Sequence, residues 1–320
     1  MKIFKNKIKS ILTFAVTGIL VSSCVNNEDN FYDFPSADKP VLSIPSTSFT
    51  AMEGETIEIP FTLSKATTES VQLSLIPVGG SAIKDDDFTA GDGAIPGENG
   101  DPESGYIFRL SGDSPTLSIP FTAVMDILAE GSETVSLSIK SVGTRSVVIP
   151  SGEIIVNISI ENFESDELGA KLEWNREVTY NFINADGDLE SLTEELCDHS
   201  DFDLLATGVP GNYLLGTADC PEFSSELGVL ADNTYTIFVD LYQLALTETP
   251  VGEFNIPYSL TIAKVGKFSA TLTYQDEYTS SSADSFPAGA NAGLTQAGTL
   301  EVSGGNYTLF DKDGNQVAAE

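Results

Sequence analysis

A chain of 320 residues that is 41% hydrophobic, with glycine and proline spread along it, has the length and apolar content for about two globular domains. Its 48 acidic against 15 basic residues give a formal net charge of -33, a surface that repels phosphate backbones and so excludes nucleic acid as a partner. One histidine and three cysteines are too few for a usual zinc site, and neither a glycine-rich phosphate loop nor a dinucleotide fingerprint is present.

The first element is a leader. Lys2, Lys5, Lys7 and Lys9 form a basic region, and residues 11–20 (ILTFAVTGIL) form an apolar run too short to span a membrane comfortably, which together predict a signal peptide over 1–23. The run ends in Val21-Ser22-Ser23-Cys24, which resembles the lipobox of bacterial lipoproteins. That resemblance implies that Cys24 is diacylated and becomes the N-terminus, tying the protein to the outer membrane through its lipid. The following Val25-Asn26-Asn27-Glu28-Asp29-Asn30 is similar to the acidic signal that sends many Bacteroidota lipoproteins to the cell surface. Residues 24–39 read as an acidic tether carrying Phe31, Tyr32 and Phe34, with no clear period.

From Val41 the hydrophobic period becomes two. Seven strands are predicted: VLSI, 56–64, 70–77, 106–111, 116–124, 134–140 and 153–162. Each alternates apolar residues with Ser, Thr or Glu, so one face is buried and the other wet, and glycine and proline punctuate them. The expected packing over 40–163 is an immunoglobulin-like β-sandwich. Residues 89–104, rich in Gly, Pro and acid, read as a long surface loop.

Several markers then coincide: Met52-Glu53-Gly54-Glu55 ahead of the first long alternation, Asp86-Asp87-Phe88-Thr89 in a later loop, and an acidic corner, MDILAEGSE, at 125–133. With them the segment resembles a Calx-beta domain, a calcium-binding sandwich that recurs in bacterial surface proteins. The resemblance implies a Ca2+ site at one end of the sandwich built from Glu53, Asp87, Asp126, Glu130 and Glu161, with Asn162 as a neutral oxygen donor. Calcium takes six to eight oxygens, and loops at a sandwich end can bring side chains from distant strands to one point. Two positions depart from the family pattern: Met125 stands where a second aspartate is common, and Glu161-Asn162-Phe163 replaces a run of aspartates. Thioether sulfur is no calcium ligand, so a single weak site, or none, is expected rather than a cluster of ions.

The acidic joint NFESDELGAK places a boundary near Asp166, and residues 167–320 read as a second β-rich domain, sandwich or jelly-roll-like. Leu189, Leu192 and Leu196 at helical spacing predict one short helix over 188–196. Strands follow at 234–242, 256–264, 267–275, 298–303 and 306–311. With Cys24 assigned to the lipid, Cys197 and Cys220 remain as an even pair in an oxidising compartment, which predicts a disulfide. The order of Trp174, Asp201-Phe202-Asp203-Leu204 and Ser225-Glu226 is similar to the bacterial pre-peptidase C-terminal module, an accessory domain that often holds calcium. Asp201 and Asp203 suit a cation or, more simply, a solvated turn. Asp311-Lys312-Asp313-Gly314-Asn315 lacks the bidentate glutamate of an EF-hand loop and reads as a hairpin turn, and Thr279-Ser280-Ser281-Ser282 as a polar loop.

A Ser-His-Asp or Cys-His nucleophile would need His199, the only histidine, and a bonded Cys197 cannot attack. Glycosidases need only two carboxylates, which an acidic chain always offers, so composition does not exclude them, but one Trp and no barrel pattern argue against a carbohydrate-cleaving cleft. The expectation is a non-enzymatic surface protein serving adhesion, or docking of a surface protein or glycan, with calcium as a structural ion. The competing expectation is a polysaccharide-binding accessory subunit of a surface enzyme or uptake system, and a third is a plain spacer.

Overall fold

A computed structural model of the chain describes residues 39–90, 105–142, 147–209, 211–282 and 294–320. Cys24, the leader, the tether up to residue 38 and most of the loop expected over 89–104 lie outside the described residues.

The described chain is almost entirely β. Nine strands build its first part: β1 (Leu42–Ser43), β2 (Ser48–Met52), β3 (Thr56–Leu63), β4 (Val71–Gly80), β5 (Phe88–Thr89), β6 (Tyr106–Leu110), β7 (Thr116–Ala123), β8 (Glu133–Ser141) and β9 (Ile154–Glu161). They form two sheets, β1-β3-β7-β5 and β2-β9-β8-β4-β6. Ile59, Phe61, Ile119 and Phe121 of the first sheet share one core with Leu73, Leu75, Leu137 and Ile158 of the second, which makes a sandwich. Of the seven expected strands, the first, second and fifth share one sheet and the other four share the second, an immunoglobulin-type distribution. The period-two pattern predicts this because alternate residues of a strand face one side. The sequence did not predict the short strands β2 and β5.

A second core holds the remainder. Here β10 (Leu168–Glu173), β11 (Glu177–Ile183), β12 (Leu189–Glu195), the four-residue helix α1 (Leu196–His199), β13 (Ser200–Ala206), β14 (Tyr213–Leu215), β15 (Glu222–Ser224), β16 (Asn233–Leu244), β17 (Asn255–Lys264), β18 (Phe268–Thr279), β19 (Leu294–Ser303), β20 (Asn306–Asp311) and β21 (Gln316–Ala319) follow in order. The sheets β15-β10-β17-β18 and β14-β13-β16-β19-β20-β21 enclose an aromatic centre in which Phe202 lies 5.1 Å from Trp174 and 5.9 Å from Tyr258. Asp311-Lys312-Asp313-Gly314-Asn315 is the expected hairpin turn between β20 and β21.

The helix expected over 188–196 is corrected. Residues 189–195 form β12, paired to β11 through Tyr180 and Leu192, and the helix starts only at Leu196. The helical spacing misled because Leu189 is 62% exposed whereas Leu196 is wholly buried, so the leucines never share one face.

The two sandwiches meet through the acidic corner. Ile127, 1% exposed, packs on Ala263 and Val265 of the second sandwich with Phe163 beside it. Gly169 makes room for it, since a Cβ there would come within 2.6 Å of Ile127 Cγ2. Asn162 Nδ2 donates to Gly266 O at 2.9 Å, Ala129 N donates to Ser269 Oγ at 3.2 Å, and Lys267 Nζ meets Asp166 Oδ1 at 2.8 Å. The joint at 162–171 is thus a packed, hydrogen-bonded seam.

Candidate metal centre

Three backbone segments converge at the end of the first sandwich that faces the second. Glu53-Gly54 carries the chain from one sheet to the other: Glu53 N donates to Glu161 O at 3.0 Å and Gly54 N to Ala123 O at 2.9 Å. Gly54 has φ +80°, and a Cβ there would meet Met125 Cε at 2.8 Å, so only glycine suits the crossing. Met125 packs over this switch, which gives a structural use to the position where the family pattern has an acid. Val124 N donates to Asp87 O at 2.9 Å, tying the DDF loop to the start of the corner.

On this frame Asp87, Asp126 and Glu130 each present a carboxylate oxygen, and the three oxygens all lie within 4.8 Å of one another. Asp87 Oδ2 accepts from Ile83 N at 2.5 Å, and Asp126 Oδ1 accepts from Leu128 N at 2.7 Å, so local backbone fixes both side chains. Burial pushes the Asp126 carboxyl above its usual range against the bond from Leu128, with Asp87 adding repulsion. Burial and then the Asp126 and Asp87 charges push Glu130 up likewise. Glu53, 8% exposed, is raised to about 7 by burial, although Phe163 N donates to its Oε2 at 3.0 Å; Asp126, Glu130 and Glu133 add to the rise. Glu133 is also raised to about 7, by burial and then by Asp87.

The sequence-nominated ligands therefore divide. Asp87, Asp126 and Glu130 come together, and Glu53 stands within electrostatic reach with one oxygen engaged by the seam. Glu161 is exposed and lies outside the group of three. Asn162 spends its amide nitrogen on Gly266, while its Oδ1 is buried with no hydrogen-bond partner. Glu133 lies outside the group of three but lines the same cleft; the sequence did not nominate it because it opens β8 and reads as an ordinary strand residue, its place at the end of MDILAEGSE being the signal for it.

Asp87, Asp126, Glu130 and Glu133 line one wall of a cleft of about 640 Å³, whose other wall comes from the second sandwich through Lys171, Glu173, Phe223 and Thr261. Hard oxygen donors at this spacing, several with carboxyl pKa values raised by burial and mutual repulsion, fit a divalent cation such as calcium, with water completing the shell. The residues present fit the ion that the sequence resemblance implies.

Cys197 and Cys220 form the expected disulfide, with Cα atoms 5.5 Å apart. His199 sits at the end of α1, its Nε2 3.4 Å from Glu194 Oε1 and its Nδ1 3.1 Å from Ala245 O. Glu194 also accepts from Tyr180 Oη at 2.5 Å. The histidine thus belongs to a polar network around the β11-β12 ribbon, and its neighbour Cys197 is held in the disulfide.

No family model matches the chain, and no curated protein matches it. Among solved structures it is similar to CBD12 from CALX1.2, at 9% identity and a TM-score of 0.27 over 70% of this chain and 79% of that one. It is also similar to the calcium binding domain CBD12 of CALX1.1, at 11% identity and 0.27 over 65% and 82%. A chaperone-tip adhesin complex of CFA/I fimbriae follows at 14% identity and 0.23, over 66% and 100%. These scores are too low to carry an argument about ligand or role, so the all-β, two-sandwich architecture rests on the chain's own sheets and cores.

Proposed function

We propose that this chain is a non-enzymatic, lipid-anchored protein of the cell surface in which calcium at the acidic corner stiffens the seam between two β-sandwiches and so sets how the second is presented to a surface protein or glycan. The observation that carries this reading is the position of Asp87, Asp126 and Glu130. They stand at the seam, on and beside the very loop whose Ile127 is buried in the second sandwich. Without an ion, several carboxylates crowd the loop that joins the two bodies; with one, their repulsion becomes ligation. The leader and Cys24 supply the anchor, and the acidic tether after it suits a surface address.

The test compares the melting temperature of the mature chain in calcium and in chelator. An ion bound at 100 times its dissociation constant stabilises by about 2.7 kcal/mol. The expected rise in melting temperature disappears in the double variant Asp126→Asn, Glu130→Gln, and equal melting of the native chain in calcium and chelator would remove the structural ion. A Cys24→Ala protein is expected in the soluble fraction, and its retention in the membrane would remove the anchor. A glycan array on the calcium-loaded chain then separates glycan from protein docking.

A further inference from the structure

The second sandwich holds another convergence of acids, remote in sequence from the corner. Asp201 and Asp203 on β13 alternate with the buried Phe202 and Leu204, and Glu222 opens β15 in the opposite sheet. One carboxylate oxygen from each lies within 4.8 Å of the others. Glu222 is 1% exposed. Thr217 N donates to its Oε1, while its Oε2 is buried with no hydrogen-bond partner, as is Asp201 Oδ1. A carboxylate oxygen taken out of water without a partner is costly, and such a group normally finds a proton or a cation. Burial pushes Glu222 up to about 7 against the hydrogen bonds from Thr217, with the Asp203 and Asp201 charges adding to the rise, and burial followed by the Asp201 and Asp240 charges pushes Asp203 up to about 6.

The disulfide gives the arrangement a frame. Cys197 lies four residues before Asp201, and Cys220 lies two before Glu222, so the bond staples together the two segments that carry the acids. A long connection is thereby closed at the point where like charges would otherwise push the segments apart.

We infer that Asp201, Asp203 and Glu222 form a second divalent-cation site, specific for a hard ion of the calcium class and assembled by the Cys197–Cys220 disulfide. The orphaned Glu222 Oε2 and Asp201 Oδ1 supply buried oxygens, the Asp203 carboxylate closes the set, and water reaches the ion from the half-exposed side of Asp201 and Asp203. Nothing in this depends on the corner binding an ion. The two sites stand on separate cores and fail separately.

Calorimetric titration of calcium into the oxidised mature chain tests it, with Glu222→Gln and Asp203→Asn measured beside the corner variant Asp126→Asn, Glu130→Gln. The corner variant is expected to keep one calcium-binding event. Glu222→Gln and Asp203→Asn are expected to weaken that event by about tenfold or more, since charge count sets affinity in oxygen sites. In chelator the Glu222→Gln protein is expected to melt no lower than the native chain, because the buried charge has gone, which separates lost binding from lost folding. A corner variant that binds no calcium, or binding unchanged by both second-site variants, would overturn the site and leave Glu222 as a protonated buried carboxyl.

Discussion

The acidic corner and the acids of the second sandwich are each three carboxylates within one ion's reach, yet they are built in opposite ways. Asp87, Asp126 and Glu130 come from loops and line an open cleft, and local backbone orients Asp87 and Asp126. Asp201, Asp203 and Glu222 come from strands in two different sheets, and their deepest member is wholly buried. The first is a loop cluster at the seam, whose occupancy on the proposed reading controls how the two bodies meet; the second is a strand cluster whose two segments are stapled by the Cys197–Cys220 disulfide. Loop sites leave a mark in the sequence because turn chemistry and charge lie side by side. Strand sites leave almost none.

The largest expected effect tests whether the corner works through the seam. Ile127→Ala removes a side chain buried between Ala263, Val265 and Phe163, and a cavity of that kind destabilises by about 3 to 4 kcal/mol. Because Ile127 belongs to neither main core, the loss should fall on the coupling of the two bodies. Scanning calorimetry is expected to show one transition in the native calcium-loaded chain and two in the variant. A single transition merely shifted downward would mean that the seam does not join them.

Next in size is the disulfide. With 23 residues of sequence separation it contributes about 3 kcal/mol. Reduction is expected to lower the melting of the second sandwich alone and to weaken the cation event that survives in the corner variant, while binding at the corner is kept. If reduction weakened the corner equally, the two sites would not be independent.

How much of this was legible follows from the same contrast. The period-two runs of β3 and β7 are visible because Ile59, Phe61, Ile119 and Phe121 all face one core. The corner is visible because Asp126, Glu130 and Gly131 fall within six residues, and Gly131 adopts φ +86° in open space. The ribbon β12 was hidden because its side chains are mostly exposed, so no face of the strand had to be apolar. Asp201 and Asp203 were readable either as cation ligands or as a solvated turn, since nothing local indicates that Glu222, about twenty residues on and between Pro221 and Phe223, lies beside them. Sequence distance, rather than residue type, hid the second site.

A smaller effect is the pH dependence of the calcium-free chain. Glu53 and Glu133 have carboxyls raised from 4.5 to about 7 in the folded state. The folded protein therefore holds these protons more tightly than the unfolded chain does. Their contribution to stability is fully present below 4.5 and is lost as pH rises through about 7. The expected decline in chelator between these values is on the order of 2 kcal/mol for the pair, after discounting for solvent screening of Glu133, which lines the cleft. Lowered carboxyls such as Asp166 and Glu153 act in the reverse sense, their contribution being lost only as pH falls into the acid range. Calcium should flatten or reverse the decline, because ligation requires the deprotonated form. Denaturant midpoints at a series of pH values, with and without the ion, measure this, and a flat calcium-free profile would remove the crowding on which the corner's function rests.

The smallest effects separate two glutamates that the sequence ranks in the wrong order for the geometry to support. Glu161 matches the position of a family ligand, but its side chain is exposed and its useful contact is a backbone one, the carbonyl that accepts from Glu53 N. Glu133 has no such standing, yet it lines the cleft, is raised by burial and responds to Asp87 first among the charges. Glu133→Gln is therefore expected to raise the melting temperature in chelator slightly and to weaken calcium binding severalfold, since one repelling charge and one potential donor both go. Glu161→Gln is expected to change neither quantity measurably, because it leaves the carbonyl in place. Should Glu161→Gln weaken binding more than Glu133→Gln, the ion must sit toward β9 and away from the cleft, and the proposal that calcium acts through the seam would fall.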